Sequence, residues 1–148
     1  MNIVIDAGVI LKGYFPDERG HEEAQLIIRE YAEGFIELYA PHLILYEIVN
    51  ALVVARNLGR LEQRQINNII TEIREIEINR YDVADILGLF DMSLKYGRTA
   101  YDASYLLLSD ELKFNFVTGD IKLYNSVKNK LPWVIWIEDY RKIKPRAD

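Results

Sequence analysis

The sequence predicts a three-layer α/β/α protein, in which a central parallel five-stranded sheet lies between helices. Short apolar runs alternate along the chain with longer segments whose apolar residues recur at helical spacing. Strands that alternate with helices in this way pair in parallel and are covered on both faces. Because the chain contains no linker, repeat or low-complexity run, residues 1–148 are expected to form one domain.

The first half of the chain contains two predicted strands, at residues 3–5 and 35–39, and three predicted helices, at residues 19–33, 41–57 and 61–75. Each strand is a short apolar run, which is typical of a buried strand. In the third helix Ile66, Ile69 and Ile73 recur at the spacing of one helical face. Pro41 suits the first turn of the second helix, and Gly59 ends that helix.

The second half contains three predicted strands, at residues 76–78, 114–118 and 133–137, and three predicted helices, at residues 82–96, 99–110 and 121–129. Ile76 and Ile78 mark the third strand, and an apolar run that ends at Thr118 marks the fourth. The helix over 41–57 is apolar on nearly every side, so the pattern predicts that it is largely buried.

The net charge indicates which kinds of partner the protein can bind. The 148 residues carry a formal charge of −5, which argues against a protein that coats nucleic acid by bulk charge. Residues 17–37 hold seven acidic and two basic residues, so this segment alone accounts for the whole net charge. The remainder is neutral and is free to approach phosphate groups.

Cysteine is absent, which excludes disulfides, thiolate catalysis and thiolate metal sites. The only histidines are His21 and His42, and each is expected to be a surface or packing residue. A metal ion in this protein must therefore be held by oxygen atoms, which favours Mg²⁺ or Mn²⁺ over zinc.

No targeting or membrane segment is visible. Asp6 interrupts the first apolar run, so it does not read as a signal peptide. The longest nearly apolar stretch, residues 43–55, is shorter than the ~20 residues needed to span a bilayer. The protein is expected to be soluble and cytoplasmic.

Four carboxylates are candidates for a site at one edge of the sheet. Ligands of parallel sheets bind at the carboxyl ends of the strands. Asp6 directly follows the first strand, and Asp120 follows the fourth. Glu47 lies within an apolar helix, where Asn50 shares its face, and Asp102 lies near the start of another apolar helix.

Each of the four also has an ordinary structural interpretation. Asp6 suits the N-cap of a helix after the first strand, and Asp120 suits the turn after the fourth. Asp102 stands three residues after Thr99, which resembles a capping box. Glu47 suits a buried salt bridge, for example with an arginine.

Together the four carboxylates favour a metal site. Converging carboxylates repel one another by several kcal/mol per close pair at an effective dielectric of ~20. A divalent cation removes this repulsion, and Mg²⁺ is commonly held by carboxylates together with phosphate oxygens.

Four segments, in this order, resemble the PIN-domain family and, within it, the VapC-type toxin ribonucleases of toxin–antitoxin pairs. They are Ile5-Asp6-Ala7-Gly8, Tyr46-Glu47-Ile48-Val49-Asn50, Tyr101-Asp102-Ala103-Ser104-Tyr105 and Val117-Thr118-Gly119-Asp120. The resemblance covers nearly the whole chain. It implies a sheet of strand order 3-2-1-4-5.

The family's functional residues carry over by position. The resemblance implies that Asp6, Glu47, Asp102 and Asp120 are the catalytic, metal-binding carboxylates, as they stand at the four acidic positions of the family; it also implies that Thr118 and Asn50 support the site. One position departs from the family, which often has Ser where this chain has Gly8. That departure removes a hydroxyl and no metal ligand.

The resemblance implies a Mg²⁺- or Mn²⁺-dependent endoribonuclease. Metal held mainly by Asp6, Asp102 and Asp120 binds the scissile phosphate and activates water. Glu47 binds metal directly, binds it through water, or orients the nucleophile; these alternatives stay open. The implied partners are an RNA substrate, a second copy of the chain in a homodimer, and a cognate antitoxin protein.

Three other functions are compatible with an α/β fold that carries these acidic residues: a PIN nuclease of RNA processing, a non-catalytic PIN-like module that binds RNA or protein, and a phosphoacceptor receiver domain. A receiver needs paired acids after its first strand, and here Asp6 stands alone. Lys12 and Arg98 lie near the motifs and are expected to be surface charges or ion-pair partners rather than RNA contacts. The series Arg56, Arg60 and Arg64 is expected to be a solvated helix end, and the basic tail 141–146 a frayed terminus.

Overall fold

The computed structural model describes residues 1–143 and contains a five-stranded sheet in which every strand pair is parallel. The strands are β1 (Asn2–Ile5), β2 (Glu37–Pro41), β3 (Ile78–Tyr81), β4 (Asn115–Thr118) and β5 (Val134–Trp136). Their spatial order is β3-β2-β1-β4-β5. The predicted three-layer α/β/α class and the strand order 3-2-1-4-5 are confirmed.

Seven α-helices flank the sheet within the described part of the chain: α1 (Ala7–Lys12), α2 (His21–Ala32), α3 (Ile44–Asn57), α4 (Gln63–Arg74), α5 (Ile86–Tyr96), α6 (Ala100–Leu112) and α7 (Ile121–Val127). A 3-10 helix over Ile137–Lys142 follows β5. The helix α6 packs on β1, β2 and β4, and α5 packs on α6. None of the helices in residues 1–143 is both long and apolar enough to cross a bilayer.

The short helix α1 is absent from the prediction. It has only six residues and includes Gly8, so its apolar residues do not form a recognisable helical repeat. Several boundaries also differ. Pro41 ends β2 and α3 begins at Ile44, so the prediction that Pro41 lies in the first turn of that helix is wrong. The helix α5 begins at Ile86 and not at 82. The third strand lies at Ile78–Tyr81 and not at 76–78, and residue 137 begins the 3-10 helix and does not end a strand. Boundaries of short elements depend on strand register, which the sequence pattern alone does not specify.

The prediction that α3 is largely buried is wrong. One face of α3 packs in the core through Ile48 and Leu52, while Tyr46, Val49 and Val53 are 50% or more exposed. The helix α5 is more open still, because none of its residues is buried. The apolar sequence of α3 therefore predicts more burial than this helix has in a single chain.

The register of the two central strands creates the candidate site. Ile5 pairs with Val117, so Asp6 and Thr118 leave the sheet side by side at its carboxyl edge. The backbone then comes very close at Gly8 and Gly119. A Cβ on Gly119 would lie 2.8 Å from the carbonyl carbon of Gly8, which is closer than a real Cβ can approach. Glycine at position 119 is what lets α1 and the β4–α7 turn meet.

Candidate active site

Asp6 is a buried carboxylate with three hydrogen bonds. Its Oδ1 accepts from the backbone N–H of Val9 at 3.2 Å and of Gly119 at 3.1 Å, and its Oδ2 accepts from the hydroxyl of Thr118. The N-cap interpretation is confirmed, because the bond to Val9 caps α1. Burial raises the pKa of Asp6 to about 6, with a smaller rise from the Asp120 carboxylate, although the three hydrogen bonds act in the opposite direction.

Asp120 lies beside Asp6 across Thr118. The Thr118 hydroxyl oxygen accepts from the backbone N–H of Asp120 at 3.0 Å while donating to Asp6. The Oδ1 of Asp120 accepts from the N–H groups of Lys122 at 2.9 Å and Leu123 at 3.1 Å, which caps α7. Both capping bonds use the same oxygen of Asp120.

Glu47 is held by a tyrosine. The hydroxyl of Tyr105 donates to the Oε1 of Glu47, and within residues 1–143 Glu47 forms no salt bridge, so the alternative interpretation of Glu47 as an ion-pair partner of an arginine does not hold. Tyr105 is 1% exposed and stacks on Phe116 with 5.5 Å between the ring centroids. Burial raises the pKa of Glu47, and the carboxylates of Asp102 and Asp120 raise it further, while the bond from Tyr105 lowers it.

Asp102 forms an ion pair with the arginine four residues before it. Its Oδ2 accepts from Nη2 of Arg98 at 2.7 Å and from Nε at 3.0 Å. Thr99 caps α6 by accepting from the backbone N–H of Asp102 at 3.1 Å. Thr99 therefore caps α6, and the Asp102 carboxylate is paired with Arg98. The expectation that Arg98 is an ion-pair partner is confirmed.

All four carboxylates line one cavity of about 270 Å³, the carboxylate pocket, whose wall also includes Tyr105 and Leu123. Within residues 1–143 no three acidic or histidine side chains are poised together as ligands of one ion in these conformations. Arg98, Tyr105 and the two helix caps each engage an oxygen of one of the four carboxylates. The donor set nonetheless fits a divalent cation, because it offers only oxygen atoms and because neighbouring carboxylates contribute to the raised pKa values of Asp6 and Glu47.

Asn50 lies in a second cavity. A groove of about 440 Å³ runs between α1 and α3, and we call it the α1–α3 groove; its wall includes Leu11, Phe15, Asn50, Val54, Leu58 and Arg60. Asn50 shares the Glu47 side of α3 but does not line the carboxylate pocket. Lys12 and Glu18 also line the groove, and the Nζ of Lys12 lies 3.4 Å from Glu18.

The remaining polar candidates lie outside the carboxylate pocket. The Nδ1 of His21 lies 2.7 Å from the carbonyl oxygen of Lys12, and His42 lies 3.8 Å from Asp82. Both histidines have the expected packing or surface role. In the basic tail, Arg141 pairs with Glu23 and Lys142 with Asp139, while residues 144–146 lie outside the described residues.

Sequence reasoning assigned no role to Tyr105, although the signal was present. Asp102 and Tyr105 are three residues apart on α6, so they share a helical face. A residue that shares the face of a site carboxylate is a candidate for the same site. The close approach of Gly8 and Gly119 had no such signal, because it joins segments far apart in the chain.

Comparisons with known proteins agree with this geometry. The PIN domain model matches residues 3–128. Ribonuclease VapC3 of Pyrobaculum aerophilum is 30% identical over 126 residues, which cover 83% of this chain and 92% of the relative. VapC ribonuclease Mb0985 of Mycobacterium bovis is 30% identical over 132 residues, 88% of this chain and 94% of the relative.

A solved structure has the same fold. The crystal structure of PAE2754 from Pyrobaculum aerophilum superposes with a TM-score of 0.64 at 21% identity, and the match covers 95% of each chain. The family match and the curated relatives together confirm the resemblance read from the four sequence motifs. This chain belongs to the PIN-domain family and, within it, to the VapC-type ribonucleases.

Proposed function

We propose that this VapC-type ribonuclease is the toxin of a toxin–antitoxin pair and hydrolyses RNA phosphodiester bonds with Mg²⁺ or Mn²⁺ bound in the carboxylate pocket. The observation that carries the proposal is the meeting of Asp6, Glu47, Asp102 and Asp120 around one cavity at the carboxyl edge of the sheet. A non-catalytic module would have no need to hold four carboxylates against their mutual repulsion.

Each carboxylate has a role in the proposed chemistry. Asp6, Asp102 and Asp120 supply the oxygen ligands, and one or two divalent ions bound there would polarise the phosphate and lower the pKa of a water nucleophile. Thr118 fixes Asp6 and the backbone of Asp120 with one hydroxyl. Tyr105 orients Glu47 toward the same cavity. There Glu47 is placed to ligate an ion or to accept a proton from the attacking water.

Arg98 engages one oxygen of Asp102. The Oδ2 of Asp102 accepts two hydrogen bonds from Arg98, so a cation at that oxygen would compete with them, whereas these bonds leave Oδ1 available. Asp6 is held at the end of β1 by three hydrogen bonds that use both of its oxygens. We therefore propose Asp6 as the more rigid ligand and Asp102 as the more adjustable one.

The function is tested by cleavage of single-stranded RNA by the purified protein. Cleavage is expected with Mg²⁺ or Mn²⁺ and is expected to stop on addition of EDTA. Asp6→Asn should abolish cleavage, and Glu22→Gln, which makes the same change from carboxylate to amide at an exposed position of α2, is the control that should not. Undiminished cleavage by folded Asp6→Asn would contradict the proposed site.

The proposed partners follow from the toxin role. Expression of the chain alone should arrest growth, and a protein encoded by a neighbouring gene should relieve the arrest. Harmless expression, with no protein that copurifies from the native source, would leave an RNA-processing role and contradict the toxin role. Since its substrate is cellular RNA, the proposed site of action is the cytoplasm.

A homodimer is the proposed assembly, and α5 provides its surface. Ile86, Leu87, Phe90 and Leu94 are each more than 60% exposed on this helix. Exposed apolar groups in such a cluster mark a protein interface, and an isologous dimer uses the same patch on both copies. Removing these side chains from water is the proposed driving force of dimerisation.

A further inference from the structure

The α1–α3 groove and the carboxylate pocket form one continuous concave surface. Leu11, Ala51, Gly8 and Gly119 line both cavities. The two glycines carry no side chain, and the Lys12 side chain lies over Gly119, where a Cβ would come within 3.0 Å of the Cε of Lys12. A chain whose phosphate lies in the carboxylate pocket therefore continues directly into the groove.

One wall of the groove is a fixed, flat cation. The guanidinium of Arg60 lies 4.4 Å from the centroid of the Phe15 ring. Asp17 holds Arg60 at 3.2 Å and Glu18 holds it at 3.3 Å. Guanidinium planes and aromatic rings are the surfaces on which the bases of single-stranded RNA stack. Because the ion pairs fix the guanidinium before any ligand arrives, little side-chain freedom remains to be lost on stacking.

The groove also offers an unused amide, on α3. Asn50 is exposed and has no hydrogen-bond partner among the described residues. An amide both donates and accepts, which matches the edge of a nucleobase. Lys12 lies at the boundary with the carboxylate pocket, where its side chain is 13% exposed and its amine is within reach of a phosphate.

We propose that the α1–α3 groove binds the nucleoside next to the scissile phosphate of single-stranded RNA, and this inference rests on the proposed function. The base stacks on Arg60, its edge meets Asn50, and Leu11, Val54 and Leu58 cover its other apolar surface. Two cations, Lys12 and Arg60, line the groove, and both are paired with acidic side chains, whereas the carboxylate pocket is lined by four acids. The continuity of the groove with the carboxylate pocket, together with the stack of Arg60 on Phe15, favours a phosphate-linked ligand over an apolar peptide.

Photo-crosslinking tests the groove without relying on cleavage. The probe is a randomised single-stranded RNA 12-mer that contains 4-thiouridine, mixed with the full protein in EDTA. Crosslinks should map to α1 and α3 around Phe15 and Leu58. Val54→Trp fills the groove and should reduce their yield at least about fivefold, since stacking alone contributes that much. The control is Ile70→Trp, which places the same ring on the exposed side of α4.

Kinetics with Mg²⁺ and the same pool, without 4-thiouridine, give a second measurement. Val54→Trp and Arg60→Ala should raise KM at least about fivefold and weaken base preference at one nucleotide beside the cut, with a smaller change in kcat. Arg64→Ala removes a charge outside the groove and should leave KM and base preference as in the wild type. Thermal unfolding of each variant identifies any that has lost its fold, and Arg60→Ala serves if Val54→Trp does not fold.

The outcomes separate this inference from the proposed function. Crosslinks that map elsewhere, or folded groove variants with unchanged KM and base preference, would overturn the groove assignment while cleavage by the wild type upholds the nuclease. A wild type that crosslinks in the groove but does not cut RNA would contradict the nuclease alone. An apolar peptide that protects the groove, with no RNA crosslink there, would assign it to a protein partner and overturn the inference.

Discussion

In the carboxylate pocket each acidic side chain has a partner within the chain, whereas on the outer face of α5 large apolar side chains face solvent. Asp6 accepts three hydrogen bonds, and Asp102 is paired with Arg98. Ile86 is 77% exposed and Leu94 is 73% exposed. The pocket is thus arranged within a single chain before any ligand arrives. The α5 face is left uncovered by the described residues, and the proposed homodimer would cover it.

The largest expected effect is the loss of activity in Asp120→Asn. Asparagine keeps an oxygen that accepts from Lys122 and Leu123, so the cap of α7 and the fold should survive. It removes the charge that a metal ion needs. Cleavage of RNA should fall more than about a hundredfold, since even residues that only orient metal ligands cost 10–100-fold.

Circular dichroism and thermal unfolding provide the control for that variant. Both should match the wild type. A folded Asp120→Asn protein that cuts RNA at the normal rate would show that the carboxylate serves only as a helix cap.

Tyr105→Phe sharpens the assignment of Glu47. The substitution removes the hydroxyl that donates to Glu47 and leaves the ring stacked on Phe116. Activity should fall about 10–100-fold, as expected for a residue that orients a site carboxylate. The free energy of unfolding should fall by about 1–3 kcal/mol, because a half-buried carboxylate loses its donor.

Steady-state cleavage and urea unfolding measure the two effects of Tyr105→Phe. Phe116→Leu, which disturbs the same ring stack and keeps the hydroxyl, should lower stability with less effect on activity. Equal activity losses in the two variants would show that packing, and not the bond to Glu47, is what matters.

A charged substitution on α5 tests whether this face is the dimer interface. Phe90→Glu should dissociate the dimer, because a charge in the buried centre of an interface is costly and large aromatic side chains commonly contribute about 2 kcal/mol or more there. Light scattering should give the mass of one chain, with the far-ultraviolet circular dichroism unchanged. Ile70→Glu on α4 is the control, and a monomeric wild type would contradict the proposed interface.

The smallest effects are expected at the contact between α1 and the β4–α7 turn. A Cβ on Gly119 would lie 2.8 Å from the backbone of Gly8, whereas a Cβ on Gly8 meets Gly119 and Asp6 at 3.3 Å. Gly119→Ala should therefore lower the free energy of unfolding by about 1–3 kcal/mol, as overpacking does. Gly8→Ser should cost less. Chemical denaturation measures both, and a smaller loss in Gly119→Ala would contradict the close approach.

The parallel sheet was predictable because alternating apolar runs and helical repeats are local signals, whereas its strand order came from the family resemblance. The helix α1 was not predicted, since six residues that include Gly8 form no repeat. The burial of α3 was overestimated, because an apolar face that stays exposed and one that packs in the core look alike in sequence. Exposure depends on which elements are neighbours in space.

The site carboxylates were predictable for a related reason. Asp6 and Asp120 follow strands, and parallel strands bring their carboxyl ends to one edge. Their partners were less predictable. The bond from Tyr105 to Glu47 was not predicted, because it joins residues 58 positions apart. Asn50 lies in the adjacent groove, since its position on α3 turns it away from the carboxylate pocket.

The central claim is that the carboxylate pocket holds a divalent cation, and isothermal titration with Mn²⁺ tests it most directly. The wild type should bind Mn²⁺, and Asp6→Asn/Asp120→Asn should bind it at least about tenfold more weakly while retaining its fold. Glu22→Gln is the control on α2 and should bind as the wild type does. Equal binding by the wild type and the folded double variant would contradict the account.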